Sequence, residues 1–171
     1  MKETFDKEFL SLLEQYIGII VKVVHIYTRN VVDKKELMSD IVFELWKSYP
    51  RFRGEAKVST WLYRVALNTA LKTKRKKDAN KLLFVEELLT FESGTFTDAL
   101  DRRSEIELLY GCIEKLTPVN KAVILLFLED KSNEEISEIT GFSRTNVSTR
   151  LNRIKGELKT CMEKNQGHGH R

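Results

Sequence analysis

The sequence predicts an all-α protein of two small helical domains joined by an acidic linker. Apolar residues recur at spacings of three and four along almost the whole chain, which is the period of an amphipathic helix. Only 8 Gly and 2 Pro occur among 171 residues, too few for a fold built on many tight turns. Charge is also segregated along the chain. Residues 1–77 hold 16 basic and 9 acidic residues, and residues 142–171 hold 7 basic and 2 acidic residues. The segments between them are acidic, with 3 basic and 6 acidic residues at 78–104 and 3 basic and 8 acidic residues at 105–141.

The first predicted domain, residues 1–77, begins with two helices. An apolar stripe from Phe9 to Ile20 marks the first helix, and Asp33 is the expected N-cap of the second. The second helix ends before Pro50, because proline disfavours helix in the residue that precedes it.

A third helix follows a charged loop at 51–57. It is expected to begin at Ser59 or Thr60 and to end in the run 72–77, where five of six residues are basic. The acidic stretch 78–104 is then predicted to be a linker.

The second predicted domain, residues 105–163, contains a helix-turn-helix, and residues 164–171 form a flexible tail. Ser132 and Glu135 form a capping box, in which each side chain accepts from the other residue's backbone amide. Gly141 supplies the turn, and Ser143 caps the last helix.

The outer face of that last helix has the composition of a helix that reads DNA. Small polar side chains at its start can reach the edges of DNA bases in the major groove. The arginine and lysine side chains further along can neutralise phosphates. A helical hairpin with a solvated charged face is the alternative. The candidate residues are Ser143, Arg144, Thr145, Ser148, Thr149, Arg150, Arg153 and Lys155.

A second basic zone interleaves aromatic and basic side chains between residues 51 and 77. Such a mixture suits single-stranded or distorted nucleic acid, whose exposed bases stack on aromatic rings. Trp61 shares a face with Leu62 and Val65, so a place in the core is the alternative for that ring. Phe52 lies in a charged loop, where a core role is harder to assign.

An acidic stripe precedes this zone. Glu36, Asp40 and Glu44 follow one another at spacings of four and therefore line one helical face. A basic protein partner would explain the stripe, and a solvated helix face is the alternative.

Together these stretches resemble the small extracytoplasmic-function (ECF) type of bacterial sigma factor. ELMSDIVFELWKSYPRFRGEAKVSTWLYRVALNTALKTKRKK resembles sigma region 2, and LLYGCIEKLTPVNKAVILLFLEDKSNEEISEITGFSRTNVSTRLNRIKGEL resembles sigma region 4. FRGE followed by TWLYR is the most specific piece. The resemblance covers about nine-tenths of the chain.

The resemblance implies a promoter-specificity subunit that binds core RNA polymerase, recognises the −35 and −10 promoter elements and helps to open DNA. The acidic stripe, with Ser39, would face the polymerase clamp helices, so that Glu36, Ser39, Asp40 and Glu44 form the core-binding set. Region 4 would read the −35 element while its earlier helices grip the polymerase flap. The −10 set would be Arg51, Phe52, Arg53, Lys57, Trp61, Arg64, Asn68, Lys72 and Arg75.

The resemblance also implies an anti-sigma factor as a partner, with possible retention at the inner membrane through that factor. The two cysteines make no disulfide framework and the first residues lack the apolar stretch of a signal peptide, so a cytoplasmic location is expected. The sequence shows no nucleophile–base pair and no phosphate-binding loop, so no enzymatic activity, cofactor, metal or small-molecule substrate is expected. Ser39 and Asp40 stand where Gln and Glu are common in the family, and Leu62 follows the single Trp61 where housekeeping factors have two aromatic residues. These departures predict a different clamp contact and weaker unassisted melting.

Two other classes of protein remain open from the residues alone. A stand-alone helix-turn-helix regulator would leave the acidic stripe and the FRGE segment unexplained. A helical enzyme or metal protein would need ligands that the sequence does not group, since His25 is the one histidine outside the tail and is expected in the core. Cys112 and Cys161 are expected to be buried thiols, and the longest apolar run is too short for a membrane span.

Overall fold

The computed structural model is all-helical in the part of the chain that it describes, which is residues 2–83 and 101–166 for the backbone and 6–77 and 105–165 for side chains. A single 3-10 turn, Tyr49–Arg51, precedes the charged loop. The helices are α1 (Lys2–Tyr27), α2 (Val31–Ser48), α3 (Val58–Leu83), α4 (Asp101–Glu114), α5 (Pro118–Leu128), α6 (Asn133–Thr140) and α7 (Arg144–Gln166).

The first three helices form a bundle, as the apolar spacing predicts. Ile20 of α1, Ile41 of α2 and Leu62 of α3 are fully buried where the helices meet. The prediction of Asp33 as the N-cap of α2 is wrong, because the Asn30 side chain accepts the Asp33 amide at 2.8 Å and caps the helix three residues earlier. Asp33 lies instead in the first turn, where a carboxylate is favoured by the helix dipole.

Helix α3 is longer than the apolar pattern predicts. It begins at Val58 and continues to Leu83, beyond the basic run at which it was expected to end. The added residues 78–83 have the sequence DANKLL, in which Ala, Lys and Leu are good helix formers and no Gly or Pro ends the helix. The first part of the predicted linker is therefore helical, and its residues 84–100 lie outside the described part of the chain.

The helix-turn-helix forms through the local signals that predict it. Both hydrogen bonds of the Ser132–Glu135 capping box are present, and Gly141 ends α6 in the left-handed region at φ +79°. The Ser143 hydroxyl accepts the Asn146 amide at 3.2 Å and caps α7. Helix α7 extends to Gln166, so the predicted tail begins as helix; its last residues, with both tail histidines, lie outside the described part.

The second domain packs directly on the first. Helix α5 lies against α1 and α3, and α6 lies against α3. The half-buried Tyr27 of α1 donates its hydroxyl hydrogen bond to the Pro118 carbonyl at 2.6 Å. Tyr63 of α3 is buried and lies 3.4 Å from the Glu129 carboxylate at the end of α5.

Two expectations for single side chains are wrong. Cys112 is buried as expected, but it is joined to Cys161 in a disulfide that links α4 to α7, with the two Cα atoms 5.9 Å apart. Because 49 residues separate the two cysteines in sequence, no local pattern indicates that they lie close together. His25 is exposed on α1, because the residues on either side of it, Val24 and Ile26, take the buried positions.

Helix α1 is more apolar than its longest uncharged run suggests. Its segment Asp6–Tyr27 has a window of mean hydropathy 1.6 and is, by length and composition alone, long enough to cross a membrane. This differs from the sequence-based expectation, which considered only uninterrupted runs. Phe9, Ile20 and Val23 on one face of this segment are buried in the bundle, so α1 acts as a core helix of the fold described here.

Candidate functional site

The charged loop after α2 and the start of α3 enclose an open cleft of about 600 Å³. Phe52 in the loop stacks on Trp61 with ring centroids 4.8 Å apart and planes 26° apart. The Trp61 ring also lies beside that of Tyr49, with ring centroids 6.2 Å apart, so it is half-buried between two aromatic neighbours. One side of the Trp61 ring therefore packs against its aromatic neighbours and another borders the cleft, while its contact with nucleic acid stays a prediction. The lining residues are Ser48, Pro50, Arg51, Phe52, Arg53, Glu55, Ala56, Trp61 and Arg64.

The basic residues of α3 continue from this cleft as a stripe. Arg64, Asn68, Lys72 and Arg75 follow at spacings of four, four and three, which places them on one helix face, and the last three are exposed. Together with the cleft, the structure thus brings most of the predicted −10 set onto one side of the first domain.

Two members of that set contact the second domain. The Arg64 guanidinium donates to the Glu138 backbone carbonyl at 2.7 and 3.0 Å and lies 3.9 Å from the Glu138 carboxylate. The Lys57 ammonium lies 3.8 Å from the Glu135 carboxylate. Both acids belong to α6, so the acidic helix of the helix-turn-helix faces the predicted −10 surface.

The acidic stripe of α2 lies beside the far end of α3. Glu36, Ser39 and Asp40 are exposed and Glu44 is half-buried. The Lys77 ammonium pairs with Asp33 and lies 3.4 Å from the Glu36 carboxylate. The hydrogen bond from Lys77 holds the pKa of Asp33 below its usual range, and the same bond raises the pKa of Lys77.

An apolar groove of about 700 Å³ between α1 and α2 adjoins this stripe, and the sequence analysis missed it. Leu10, Phe43 and Trp46 are large apolar residues with 56%, 58% and 43% of their surface exposed. Exposed aromatics in such a patch are typical of protein-binding surfaces. Phe43 and Trp46 lie three residues apart and off the stripe that α2 buries, which was the signal available in the sequence. The groove is lined by Asp6, Phe9, Leu10, Leu13, Met38, Ser39, Val42, Phe43 and Trp46.

Helix α7, which the sequence predicts to read DNA, and its capping residue present most of the predicted −35 residues to solvent. Those that are exposed are Ser143, Arg144, Thr145, Ser148, Thr149, Arg153 and Lys155. The α6 side chains hold two of them, since Arg144 pairs with Glu134 and Ser148 accepts from the Asn133 amide at 3.0 Å. The hydrogen bond from the Ser132 amide lowers the pKa of Glu135, which favours the charged form of this capping side chain.

Two predicted members of that helix are held against the domain. Arg150 is half-buried, donates to Asn146 at 2.7 Å and Asn120 at 3.2 Å, and lies 4.7 Å from the centre of the Phe142 ring. The Lys155 ammonium lies 4.1 Å from the centre of the Phe127 ring. These contacts attach α7 to α5 and to the turn, which fixes the angle at which the helix projects.

The two domains match two known families in order. Residues 12–80 match Sigma-70 region 2, and residues 106–158 match Sigma-70, region 4, so that together the matches span more than two thirds of the chain. The chain belongs to the sigma-70 family of RNA polymerase sigma factors. Its relatives place it in the ECF group. A sigma-70 factor of this group is a promoter-specificity subunit that binds core RNA polymerase and promoter DNA, and sigma factors are not enzymes.

Similar proteins span nearly the full length of this sigma factor. The RNA polymerase sigma factor YlaC of Bacillus subtilis is 28% identical over 91% of this chain and 92% of its own. The ECF RNA polymerase sigma-E factor of Haemophilus influenzae is 29% identical over 92% and 88%. The fold is similar to that of the sigma factor RpoE of Bartonella quintana in complex with the anti-sigma factor NepR, with a TM-score of 0.66 at 14% identity over 94% of this chain and 98% of that one.

These matches do not favour a stand-alone regulator or a helical enzyme. Within the described side chains of the sigma factor, no three His, Cys, Asp or Glu residues converge in a way that could hold a metal ion. The acidic residues of α2 are therefore spread along the helix as an extended face.

Proposed function

We propose that the sigma factor binds the clamp helices of core RNA polymerase through α2. The observation that carries this proposal is the junction of two surfaces, the acidic stripe Glu36, Ser39, Asp40 and Glu44 and the apolar groove beside it. An amphipathic helix with basic residues flanking its apolar face would bury Phe43 and Trp46 and pair with Asp40 and Glu44. Buried aromatics supply most of the affinity in such interfaces, and charges at the rim supply orientation and association rate.

The −10 element would bind along the loop and the α3 stripe. The cleft beside Phe52 and Trp61 is large enough for a base that has left the DNA stack, and its aromatic rings offer a stacking surface. Arg51, Arg53, Lys57, Arg64, Lys72 and Arg75 would neutralise phosphates, and Asn68 can donate to and accept from a base edge. Binding energy and base capture would open the DNA, and the polymerase would make the bonds.

The −35 element would be read by the start of α7. Thr145, Ser148 and Thr149 are exposed there and can contact base edges, while Arg144 and Arg153 reach phosphates. Arg150 and Lys155 would support the reading face, since both are engaged with aromatic rings of the domain. Helices α4 and α5 would grip the polymerase flap, and Ile106 and Tyr110 of α4 are exposed for that contact.

We also infer that an anti-sigma factor restrains this protein in the cytoplasm. The similar RpoE structure contains such a partner, NepR. The surfaces whose blockage would silence the protein are the α2 face and the recognition helix. An anti-sigma factor anchored in the inner membrane would hold the sigma factor there until it is released.

Co-elution with core RNA polymerase from a related bacterium on a sizing column tests the clamp proposal. Wild type should co-elute, and the double variant Asp40→Lys/Glu44→Lys should lose most of that association because the stripe changes sign. The control is Glu157→Lys/Glu163→Lys, which makes the same charge change on exposed residues of α7 and should bind like wild type. Equal binding by all three proteins would place the main contact elsewhere, and binding by none, with a polymerase competent for another sigma factor, would contradict the function.

A further inference from the structure

The two cysteines of the chain form a disulfide outside the residues assigned above to DNA and polymerase. Cys112 is buried on α4, and Cys161 is half-buried on the last third of α7. A sigma-70 factor acts with RNA polymerase on promoter DNA, and the cell keeps thiols reduced in the compartment that holds both. Disulfides of proteins in that compartment are usually transient, and they serve catalysis or the sensing of oxidants. Since sigma factors are not enzymes, the sensing of oxidants is the use that fits this bond.

An open cavity of about 720 Å³ gives solvent access to the disulfide. Cys161 forms part of the cavity wall, whereas Cys112 is not part of that wall and has only 2% of its surface exposed. A small oxidant or reductant therefore reaches the Cys161 sulfur first. Two lysines against one glutamate make the wall positive, which suits an anionic sulfur. The other wall residues are Lys115, Gly156, Glu157, Thr160, Lys164 and Asn165.

Hydrogen-bond donors surround the two sulfur atoms. Lys115 Nζ lies 3.9 Å from Cys161 Sγ. The Asn165 side-chain amide lies 3.7 Å from the same sulfur and 3.9 Å from Cys112 Sγ, and its position is fixed by the 2.9 Å hydrogen bond that it donates to the Cys161 carbonyl. In the reduced protein, an ammonium group and an amide N–H at these positions favour a thiolate, which is the form that attacks oxidants and disulfides. Cys161 is therefore the attacking thiol and Cys112 the resolving thiol.

The bond joins two helices of the second domain that have different proposed roles. Helix α4 carries Ile106 and Tyr110, which are exposed for the polymerase flap, and α7 begins with the proposed −35 residues. The sequence separation of 49 residues includes α5 and α6, so the bond closes a loop around the whole helix-turn-helix. Such a cross-link removes conformations from the unfolded chain and thereby stabilises the folded domain. With the bond in place the helix-turn-helix is formed and most of the proposed −35 residues are exposed, so the oxidised form can read DNA.

We propose that Cys112 and Cys161 are a reversible redox switch: an oxidant closes the bond and stabilises the form of the second domain that reads the −35 element. This inference rests on the proposed assignment of that element to α7. Reduction opens the loop, and α4 and α7 then hold each other through packing alone. Preorganisation of a binding surface raises affinity by lowering the entropy lost on binding, so the oxidised form binds promoter DNA more tightly.

The oxidant for this site is a hydroperoxide. The Cys161 thiolate attacks the peroxide, so that the O–O bond breaks, an S–O bond forms, and the leaving oxygen takes a proton to become water or an alcohol. The Cys112 thiol then attacks the resulting sulfenic acid, so that the S–S bond forms, the S–O bond breaks and water leaves. Two electrons pass from the thiol pair to the peroxide. A dithiol reductant returns them through two thiol–disulfide exchanges and becomes a disulfide itself.

Thermal unfolding of the full chain tests the effect of the bond on the second domain. By alkylation and mass spectrometry, protein treated with hydrogen peroxide should show no free thiol, and protein treated with dithiothreitol should show both cysteines free. The thermal midpoint of the second domain should be higher in the oxidised form by about 8 °C or more. Cys161→Ser is the control, since it removes the bond at a half-buried position, and its midpoint should not depend on the treatment. Two free thiols after peroxide treatment, or equal midpoints for the two forms of wild type, would overturn the proposal.

Trapping with dimedone, which reacts with sulfenic acids, tests the order of attack. Cys112→Ala should accumulate trapped sulfenic acid at Cys161 after brief peroxide treatment, and Cys161→Ser should accumulate far less at Cys112, because only Cys161 lines the cavity. Brief treatment of wild type allows the same comparison of the two positions if Cys112→Ala does not fold. Equal trapping at both positions would contradict the assignment of Cys161 as the attacking thiol.

DNA binding by the holoenzyme tests the switch itself. The probe is a duplex selected from a random pool by oxidised holoenzyme, assembled with core RNA polymerase from a related bacterium. In fluorescence anisotropy, oxidised wild type should bind this duplex about threefold or more tighter than reduced wild type. Cys161→Ser holoenzyme should show no difference, which controls for oxidation of the polymerase. Equal affinities of the two wild-type forms would make the bond a structural cross-link and overturn the switch. A sigma factor that co-elutes with polymerase in neither form would instead contradict the proposed function, so the two failures are distinguishable.

Discussion

Lys77 joins the end of α3 to the first turn of α2 through Asp33, and this pair makes folding stability depend on pH. The folded-state pKa of Asp33 is depressed, so its contribution is present above its unfolded pKa of about 3.9 and is lost as pH falls through the folded value. The pKa of Lys77 is raised, so its contribution is present below its unfolded pKa of about 10.4 and is lost as pH rises through the folded value. The pair therefore contributes most between these limits.

Asp33→Asn should lower the free energy of unfolding at pH 7 by up to about 1 kcal/mol, the upper range for a solvent-exposed ion pair. Because protonation removes the same charge from wild type, the difference should begin to shrink as pH falls through about 3.9, the unfolded pKa, and should vanish only below the depressed folded-state pKa. Urea denaturation across this range measures both effects. Asp40→Asn on the same helix is the control, and a difference for Asp33→Asn that did not depend on pH would contradict the assignment.

Substitution of Phe52 tests base capture with less disturbance of the helical bundle than substitution of Trp61 would cause. Trp61 lies between Phe52 and Tyr49 and supports the bundle, whereas Phe52 packs on Trp61 from the loop. In holoenzyme, Phe52→Ala should weaken binding to a single strand carrying the cognate −10 element by about 1–3 kcal/mol, the range for one base–aromatic stack. The measurement is fluorescence anisotropy, with Phe52→Tyr as the control that keeps the ring. Unchanged affinity for Phe52→Ala would remove this ring from the proposed site.

Local signals at single residues were predictable, and contacts between distant residues were not. The Ser132–Glu135 capping box lies within four residues and forms as the sequence indicates. Arg150 instead reaches Asn120, thirty residues away, and no helical pattern indicates that it turns toward the domain. The pairing of Cys112 with Cys161 depends on the same packing of α4 against α7.

At the scale of the element, the turn between α6 and α7 depends on one backbone conformation. Gly141 has φ +79°, and a β-carbon built there meets no atom within 4 Å, so substitution by alanine carries a backbone cost alone. Gly141→Ala should therefore destabilise the second domain by about 1–2 kcal/mol. Gly156→Ala is the matched control in α7. Its added β-carbon meets open space on a helical backbone, so the free energy of unfolding should rise by about 0.5–1 kcal/mol. Chemical denaturation measures both changes in the free energy of unfolding. Changes in the same direction for the two variants would contradict a backbone requirement at Gly141.

Helices with a periodic apolar stripe were predictable as elements, but their ends and their exposed faces were not. The stripe of α2 is buried as its spacing predicts, with Leu37, Ile41 and Leu45 inside the bundle. The groove that α2 forms with α1 required knowledge of how the two helices cross, so Phe43 and Trp46 were not recognised as a surface. The end of α3 differed because residues 78–83 favour helix through Ala, Lys and Leu, although their acidic and polar neighbours suggested a linker.

At the scale of the whole molecule, the segregation of charge was visible in the sequence, but its consequence required the structure. The sequence shows a basic first domain, in which a nucleic-acid-binding zone was expected, and an acidic segment at 105–141. The structure brings them against each other, and among the described side chains four ion pairs join a base of the first domain to an acid of the second: Lys22–Glu129, Arg29–Glu114, Lys57–Glu135 and Arg64–Glu138. Lys121 of α5 differs, because burial and the neighbouring first-domain bases Lys74 and Arg29 lower its pKa. Composition gives the sign of the charge on each surface, whereas only the fold gives the distance between the two surfaces.

The polarity of this interface predicts that salt opens the free protein. The side chains of the crossing pairs are partly to largely exposed, so mobile ions can screen them. The Debye length falls from about 10 Å at 0.1 M salt to about 3 Å at 1 M, which weakens attraction between the charged faces. The radius of gyration of wild type, measured by small-angle X-ray scattering, should therefore rise over this range. The variant Glu129→Lys/Glu138→Lys, which reverses the charge of two of the four acids, should have a larger radius at 0.1 M salt and change less. A wild type that stays compact at 1 M salt would assign the closure to Tyr27, Tyr63 and their apolar surroundings, since those contacts are not weakened by screening.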